Sequence, residues 1–177
     1  MHSIISRVNN VSAFLSTCMM CLLGAIALSS FLFAADPKGE LTVAAVKVYN
    51  AKVPRYPRRK QEMAFVNFDL KADLTPLFNW NTKQLFLYLE AEYVNTEGVH
   101  NEVVIWDRIV RRKEDAIIKV SGKNKYAFRD VSRKFKDIPT SNYTLKYNVM
   151  PYVGLLTYGE AATTLEPVEF HVEDHIS

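Results

Sequence analysis

The chain has 177 residues, of which 49% are hydrophobic and 23% charged, and its formal net charge is +3. That length supports one globular domain with a short appendage. The small charge gives no global basis for nucleic-acid binding, and 12% aromatics with six glycines argue against disorder.

The only cysteines, Cys18 and Cys21, lie in an apolar N-terminal segment. The remainder therefore folds without disulfides, and a Cys-x-x-Cys with no second pair and wholly apolar flanks is a weak metal motif. Residues 13–35 carry no charge, and the uncharged stretch begins at Val8. As a helix, 13–35 would reach roughly 34 Å, enough to cross a hydrocarbon core of about 30 Å. A cleaved secretory signal competes with an uncleaved anchor. Ala27 and Ser29 could serve as the small residues third and first before a cut, but the apolar run continues through Phe31, Leu32 and Phe33, past an ordinary signal core, and favours the anchor. The expected organisation is a short cytoplasmic N-terminus over 1–12, a transmembrane signal anchor over 13–35 and an exported domain over 36–177. Flanking charge does not set the orientation, because long domains translocate largely regardless of it. Asn142-Tyr143-Thr144 is an N-glycosylation acceptor and supports export. Asn10-Val11-Ser12 also matches, but it abuts the apolar segment and should be inaccessible.

Within the domain, residues 41–49 are Val-rich and read as a strand whose apolar phase shifts around Ala44 and Ala45, which suggests a bulge. Residues 52–60 hold two prolines and five basic residues and read as an exposed loop. Contact with acidic headgroups or a protein partner is its functional alternative. Residues 63–74 alternate cleanly: Ala64, Val66, Phe68, Leu70, Ala72 and Leu74 share one face, with Asn67, Asp69, Lys71 and Asp73 on the other. Pro76 ends that strand, and Phe78 and Trp80 are expected to close one end of the core. Residues 84–93 form the central strand, with Leu85, Leu87 and Leu89 on one face, Phe86 and Tyr88 on the other, and Glu90 and Glu92 together further on.

The next strand, 102–111, is expected to give Val104, Trp106 and Ile109 to the core, with its register uncertain at Asp107 and Arg108. Residues 115–120 and 126–128 suggest a hairpin. Tyr143, Leu145, Tyr147 and Val149 alternate up to Pro151, and Val168, Phe170 and Val172 form a last strand with Glu169, His171 and Glu173 outward. Short strands with regular turns, and no long helix after Ala35, give an all-β fold: a β-sandwich preceded by a single transmembrane helix.

The stretch Asn79-Trp80-Asn81-Thr82-Lys83-Gln84-Leu85-Phe86-Leu87-Tyr88-Leu89-Glu90-Ala91-Glu92-Tyr93 resembles the most distinctive part of the signal peptidase complex subunit 3 family. So do residues 103–110, residues 65–74, Ser6-Arg7-Val8-Asn9 before the anchor, and Asn142-Tyr143-Thr144-Leu145 followed by residues 148–151. The basic run within 53–62 departs from the family pattern. The resemblance implies a non-catalytic subunit of the endoplasmic reticulum signal peptidase, a single-pass type II membrane protein. Its lumenal domain would stand beside the catalytic subunit, which cuts signal peptides from exported precursors. The partners so implied are the other subunits and the endoplasmic reticulum membrane, with no nucleic acid.

The residues alone offer no active site. The histidines are His2, His100, His171 and His175. No serine sits in a recognisable elbow with a base and an orienting group. His171 and His175 have an HxxxH spacing, with Glu173 and Asp174 near, but on a strand and tail they would not share a helix face. No catalytic, metal or cofactor site is expected, and Asn142 is the one modification site. The competing functions are a membrane-anchored hydrolase, which lacks a motif, and an anchored lumenal β-sandwich binding peptide or carbohydrate through exposed aromatics such as Tyr152 and Tyr158.

Overall fold

The structure is a computed structural model that describes residues 3–33, 35–53, 56–135 and 138–172. Helix α1, Ile4–Ser29, runs into a 3-10 turn at Ser30–Leu32. Eight strands follow: β1 Lys38–Val53, β2 Tyr56–Asp73, β3 Thr82–Val94, β4 His100–Val110, β5 Ile117–Lys123, β6 Thr140–Pro151, β7 Thr157–Thr163 and β8 Val168–Val172. α1 starts nine residues earlier than the uncharged 13–35 stretch suggests and its α-helical part ends sooner. It takes in Arg7, Asn9 and Asn10, spans about 39 Å, and buries none of its residues. Its apolar window has a mean hydropathy of 2.1.

The strands form one mixed sheet in the order β4-β3-β6-β8-β1-β2-β5, with β7 also beside β6. β8 makes the turn between two layers. It runs parallel to β1 through Val46 and Phe170, and antiparallel to β6 at Thr140 and Ser141. The layers then face each other: Phe68 of β2 meets Trp106 of β4 with ring centroids 6.0 Å apart. On the open side the chain after β5 is bonded to β4, with the amides of Lys125 and Tyr126 both donating to the Ile105 carbonyl. The result is the expected sandwich with its two layers continuous at β8.

The alternation of β2 places Ala64, Val66, Phe68, Leu70, Ala72 and Leu74 in the core, all buried. In β3, Leu85, Leu87, Leu89, Ala91 and Tyr93 do the same from the facing layer. β1 carries the anticipated bulge, between Val43 and Ala45, so that Leu41 before it and Val46 and Val48 after it are all buried. β6 buries Tyr143, Leu145 and Tyr147.

Four expectations fail, and one strand is unexpected. The described residues of the basic run 52–60 are strand, not loop, with Lys52 paired to Lys60 across the β1–β2 hairpin, while 54 and 55 lie outside the described residues. In β4 the buried residues are Ile105 and Val110, whereas Val104 and Ile109 are exposed. A bulge opposite Leu89 and Glu90 inserts Ile105 between the paired Trp106 and Val104, and this turns two successive side chains inward. Residues 115–128 form no hairpin, because β5 pairs with β2. Asn124 then hooks on to Val66, its amide donating to the Val66 carbonyl and its Oδ1 accepting from the Val66 amide. That draws Phe128 into a bridge with Ala64. β7 was not anticipated at all. Its Gly159 lies under the Tyr147 ring, where an added Cβ would come within 2.4 Å of the hydroxyl. Finally, Phe78 packs on the core, but Trp80 is 60% exposed.

Candidate functional site

Asn142, the anticipated glycan acceptor, lies on β6 opposite Glu92 of β3 and is exposed. The hydroxyl residue of its motif, Thr144, is buried in the folded strand. His100 opens β4 and His171 lies on β8, and both are exposed. His171 Nδ1 stands 3.4 Å from the carbonyl of Glu169 on its own strand. Those two strands are not neighbours. His2, Glu173, Asp174 and His175 lie outside the described residues. Among the described residues no histidine is hydrogen-bonded to a serine. Ser141, the buried serine of β6, donates instead to Tyr143 Oη at 2.9 Å.

What the fold does build is a joint between anchor and domain, centred on Asn81. The turn Thr75–Leu77 and the two residues after it lead the chain to the start of β3. Thr82 Oγ1 braces this turn, 2.9 Å from the Leu77 carbonyl and 3.2 Å from the Asn79 amide. Asn81 is buried. Its Nδ2 donates to the Val153 carbonyl at 2.7 Å and to Ser30 Oγ at 3.0 Å, and its Oδ1 accepts from the Val153 amide at 3.2 Å. Its own carbonyl accepts from the Tyr152 amide at 2.8 Å. One side chain thus ties the β6–β7 connection to the end of the helix. Gly154, at φ +119°, completes the joint. A Cβ there would stand 3.3 Å from the Ala27 Cα, so the loop backbone rests on the last turn of α1. A cleft of about 320 Å³ opens beside the joint, lined in part by Phe33, Ala35, Leu77, Val149 and Tyr158.

A second polar group sits on the outer face of β3, β4 and β6. Lys146 Nζ reaches Glu90 at 3.2 Å and Glu92 at 3.1 Å. Glu102 of β4 joins them, the three carboxylates offering oxygens within 4.8 Å of one another. Burial and the hydrogen bond with Glu102 push the Glu90 carboxyl above its ordinary range, outweighing Lys146. Burial alone would lower the Lys146 ammonium, but the hydrogen bonds it donates to Glu92 and Glu90, and their charge, hold it above the usual lysine range. With an ammonium already bonded to two carboxylates, this is an ion-pair network rather than a cation cage. Further along the same face Phe86 and Tyr88 stack at 5.6 Å.

The alternation of β3 already placed Glu90 and Glu92 on one face, but nothing in the sequence ties them to Lys146, 54 residues on from Glu92. Asn81 carried only a turn signal.

With this geometry in view, similarity to known proteins is informative. The chain matches the signal peptidase subunit family over residues 1–173. It is 37% identical to signal peptidase complex subunit 3 of Drosophila melanogaster over 159 residues, 88% of either chain. The protein of that name in Gallus gallus is 37% identical over 158 residues, 88% of this chain and 87% of its own. The one in Saccharomyces cerevisiae is 48% identical over 120 residues, 63% of each. The family match takes in the apolar helix and the β-domain together.

Proposed function

The chain belongs to the signal peptidase subunit family, and we propose that it serves the signal peptidase complex as a non-catalytic subunit held in the endoplasmic reticulum membrane. α1 spans the bilayer once with its N-terminus cytoplasmic, the β-domain stands in the lumen, and the catalytic subunit is its partner. The observation that carries this reading is the match over residues 1–173, which embraces helix and domain. The organisation is compatible with it. A helix with no buried residue and a window hydropathy of 2.1 suits lipid. The Asn81 joint holds the domain in one pose on that helix, which is what a positioning subunit requires. The chain's contribution to cleavage is then an extended protein contact, not a nucleophile or base.

Affinity purification of the full chain in a mild detergent tests the assignment. The expected result is stoichiometric recovery of a catalytic signal peptidase subunit. In the purified complex, Ser→Ala and His→Ala changes across 36–177 leave cleavage near normal, whereas deletion of the domain disrupts assembly or activity. Recovery without a catalytic subunit would remove the reading. A single Ser or His substitution that stops cleavage in a fully assembled complex would move chemistry into this chain.

A further inference from the structure

Two uncharged stretches meet at the Asn81 joint. Residues 74–82 contain no Asp, Glu, Lys, Arg or His, and neither do residues 147–159. Their large side chains are not all folded into the core: Trp80 is 60%, Tyr152 68%, Leu155 71% and Tyr158 69% exposed. Leu156 and, at the end of the helix, Phe33 are half exposed. Scattered apolar residues on a surface are ordinary, but a cluster of them rimming one structural feature marks a contact.

The depth of that cluster is fixed by the joint. Gly154 rests against Ala27 and Asn81 is bonded to Ser30. The apolar run of the helix continues beyond both, through Leu32 and Phe33. From Ala27 to Leu32 the rise is only about 7.5 Å. A bilayer that accommodates the end of α1 therefore brings its headgroup region to the level of residues 152–156. Tryptophan and tyrosine favour that layer, where a ring meets acyl chains and its polar edge meets water. Backbone polar groups there need internal partners. Residues 152 and 153 have them: the Tyr152 amide and both backbone groups of Val153 are bonded to Asn81. Lys83, exposed beside the cluster, has a stem long enough to reach outward to phosphate.

We propose that Trp80, Tyr152, Leu155, Leu156 and Tyr158 form a lipid-facing apron. It seats the β-domain in the headgroup region of the leaflet from which α1 emerges, so the domain touches the bilayer at a second place besides its helix. This rests on the reading of α1 as a membrane span, and the test separates the two.

The full chain is reconstituted in phosphatidylcholine nanodiscs carrying a nitroxide either near the headgroup or at the acyl-chain end. Trp106→Phe leaves Trp80 as the only tryptophan. Trp80→Phe/Trp106→Phe/Leu155→Trp supplies a second reporter should the first variant fold poorly. Trp80→Phe/Trp106→Phe/Phe14→Trp reports on the helix. Trp80 and the tryptophan at 155 are expected to be quenched at least about twofold more strongly by the shallow nitroxide than by the deep one, as interfacial rings are. Phe14→Trp quenching with Trp80 fully open to aqueous acrylamide and indifferent to both lipids would overturn the apron and leave the span intact. Trp80 shielded from acrylamide yet unquenched by either lipid would mean that protein covers it, which also overturns the proposal. No quenching at any position would remove the span itself, and the apron with it.

Discussion

Strand β3 joins two ends of the domain that are closed in opposite ways. At its C-terminal end Tyr93 enters a cluster of rings, 5.5 Å from Phe128, 6.2 Å from Phe135 and 6.1 Å from Phe170. The Tyr93 hydroxyl donates to buried Asp130 at 2.7 Å. The apolar residues exposed near that end, Val94, Val99, Val131 and Leu165, are aliphatic, and each has a polar or charged neighbour in sequence, Asn95, His100, Ser132 and Glu166. At the N-terminal end Trp80, Tyr152 and Tyr158 face outward around Asn81, with no charge among residues 74–82 or 147–159. A domain stable in water must cover its rings and satisfy its polar groups, and the far end does both from within the chain. The near end satisfies its polar groups through Asn81 but leaves its rings to something outside the chain.

Leu87, midway along β3 and fully buried, sets the scale for the comparison because it supports both ends. Leu87→Ala is expected to cost about 2–5 kcal/mol, a large share of a domain's stability. Thermal denaturation of the full chain in detergent checks this, and an unchanged midpoint would mean that β3 is not central.

A smaller loss is expected from Asp130→Asn, which acts on the far end alone. Burial would raise the Asp130 carboxyl, but hydrogen bonds from Ser132 and Tyr93, with the backbone amides of Ser132 and Val131, outweigh it and hold it below the usual carboxylate range. Burial and the Asp130 charge push the Tyr93 hydroxyl upward, so it stays a donor. A carboxyl depressed in the folded state adds stability that is present above its unfolded pKa of about 3.9 and lost as pH falls through the folded value. The variant is therefore expected to lose about 1–3 kcal/mol at neutral pH and to show a flatter decline in stability below about pH 4. Unfolding curves at pH 7 and pH 3 measure both. An equal loss at the two pH values would show that the carboxylate charge is immaterial there.

The two ends were also unequally legible. β2 and the core face of β3 could be read directly because nothing interrupts their period of two. The two bulges show where such reading stops. In β1 the apolar phase shifts between Val43 and Val46 across small alanines, and the shift is visible. In β4 the residues around the bulge, Val103, Val104, Ile105 and Trp106, are all apolar, so a slip of one leaves no trace in the pattern. Partner choice was hidden as well. Asn124 ties the end of β5 to Val66 of β2 partly through its side chain, and Gly159 makes β7 possible by admitting Tyr147, neither of which periodicity can express. The joint was illegible because an Asn in a turn ordinarily serves its own turn, whereas Asn81 reaches Val153, 72 residues away. Trp80 was assigned inward on hydrophobicity alone, a rule that presumes water on the other side.

Asn81→Ala acts on the near end and is expected to leave most of the core untouched. It removes the side-chain bonds to Val153 and Ser30 and leaves half-buried partners unsatisfied, at a global cost of about 1–3 kcal/mol. The sharper readout is local. Hydrogen exchange is expected to rise in residues 152–156 and 30–33, with protection in β2 and the C-terminal half of β3 retained. Exchange that rises uniformly would mean that the joint is part of the core and that the two ends are not separable.

The smallest effect on folding, and the clearest on topology, is expected from Asn142→Gln. Asn142 pairs opposite Glu92, ten residues along β3 from Thr82, a distance of about 34 Å at the rise of an antiparallel strand. If the near end rests on the membrane and the proposed topology holds, Asn142 stands well out in the lumen, exposed on β6. Thr144 is buried once the strand has formed, so the acceptor motif is open to a transferase only before folding, and modification must occur on the emerging chain. The wild type is expected to carry one glycan, seen as a glycosidase-sensitive mobility shift that Asn142→Gln removes and Asn10→Gln does not. Asn10 lies inside α1, and the proposed topology puts it on the opposite side of the bilayer. Because Asn142 is exposed, its replacement should move stability by no more than about 0.5 kcal/mol. A shift that follows Asn10 instead would invert the topology, placing the open end of the domain against the cytoplasmic leaflet.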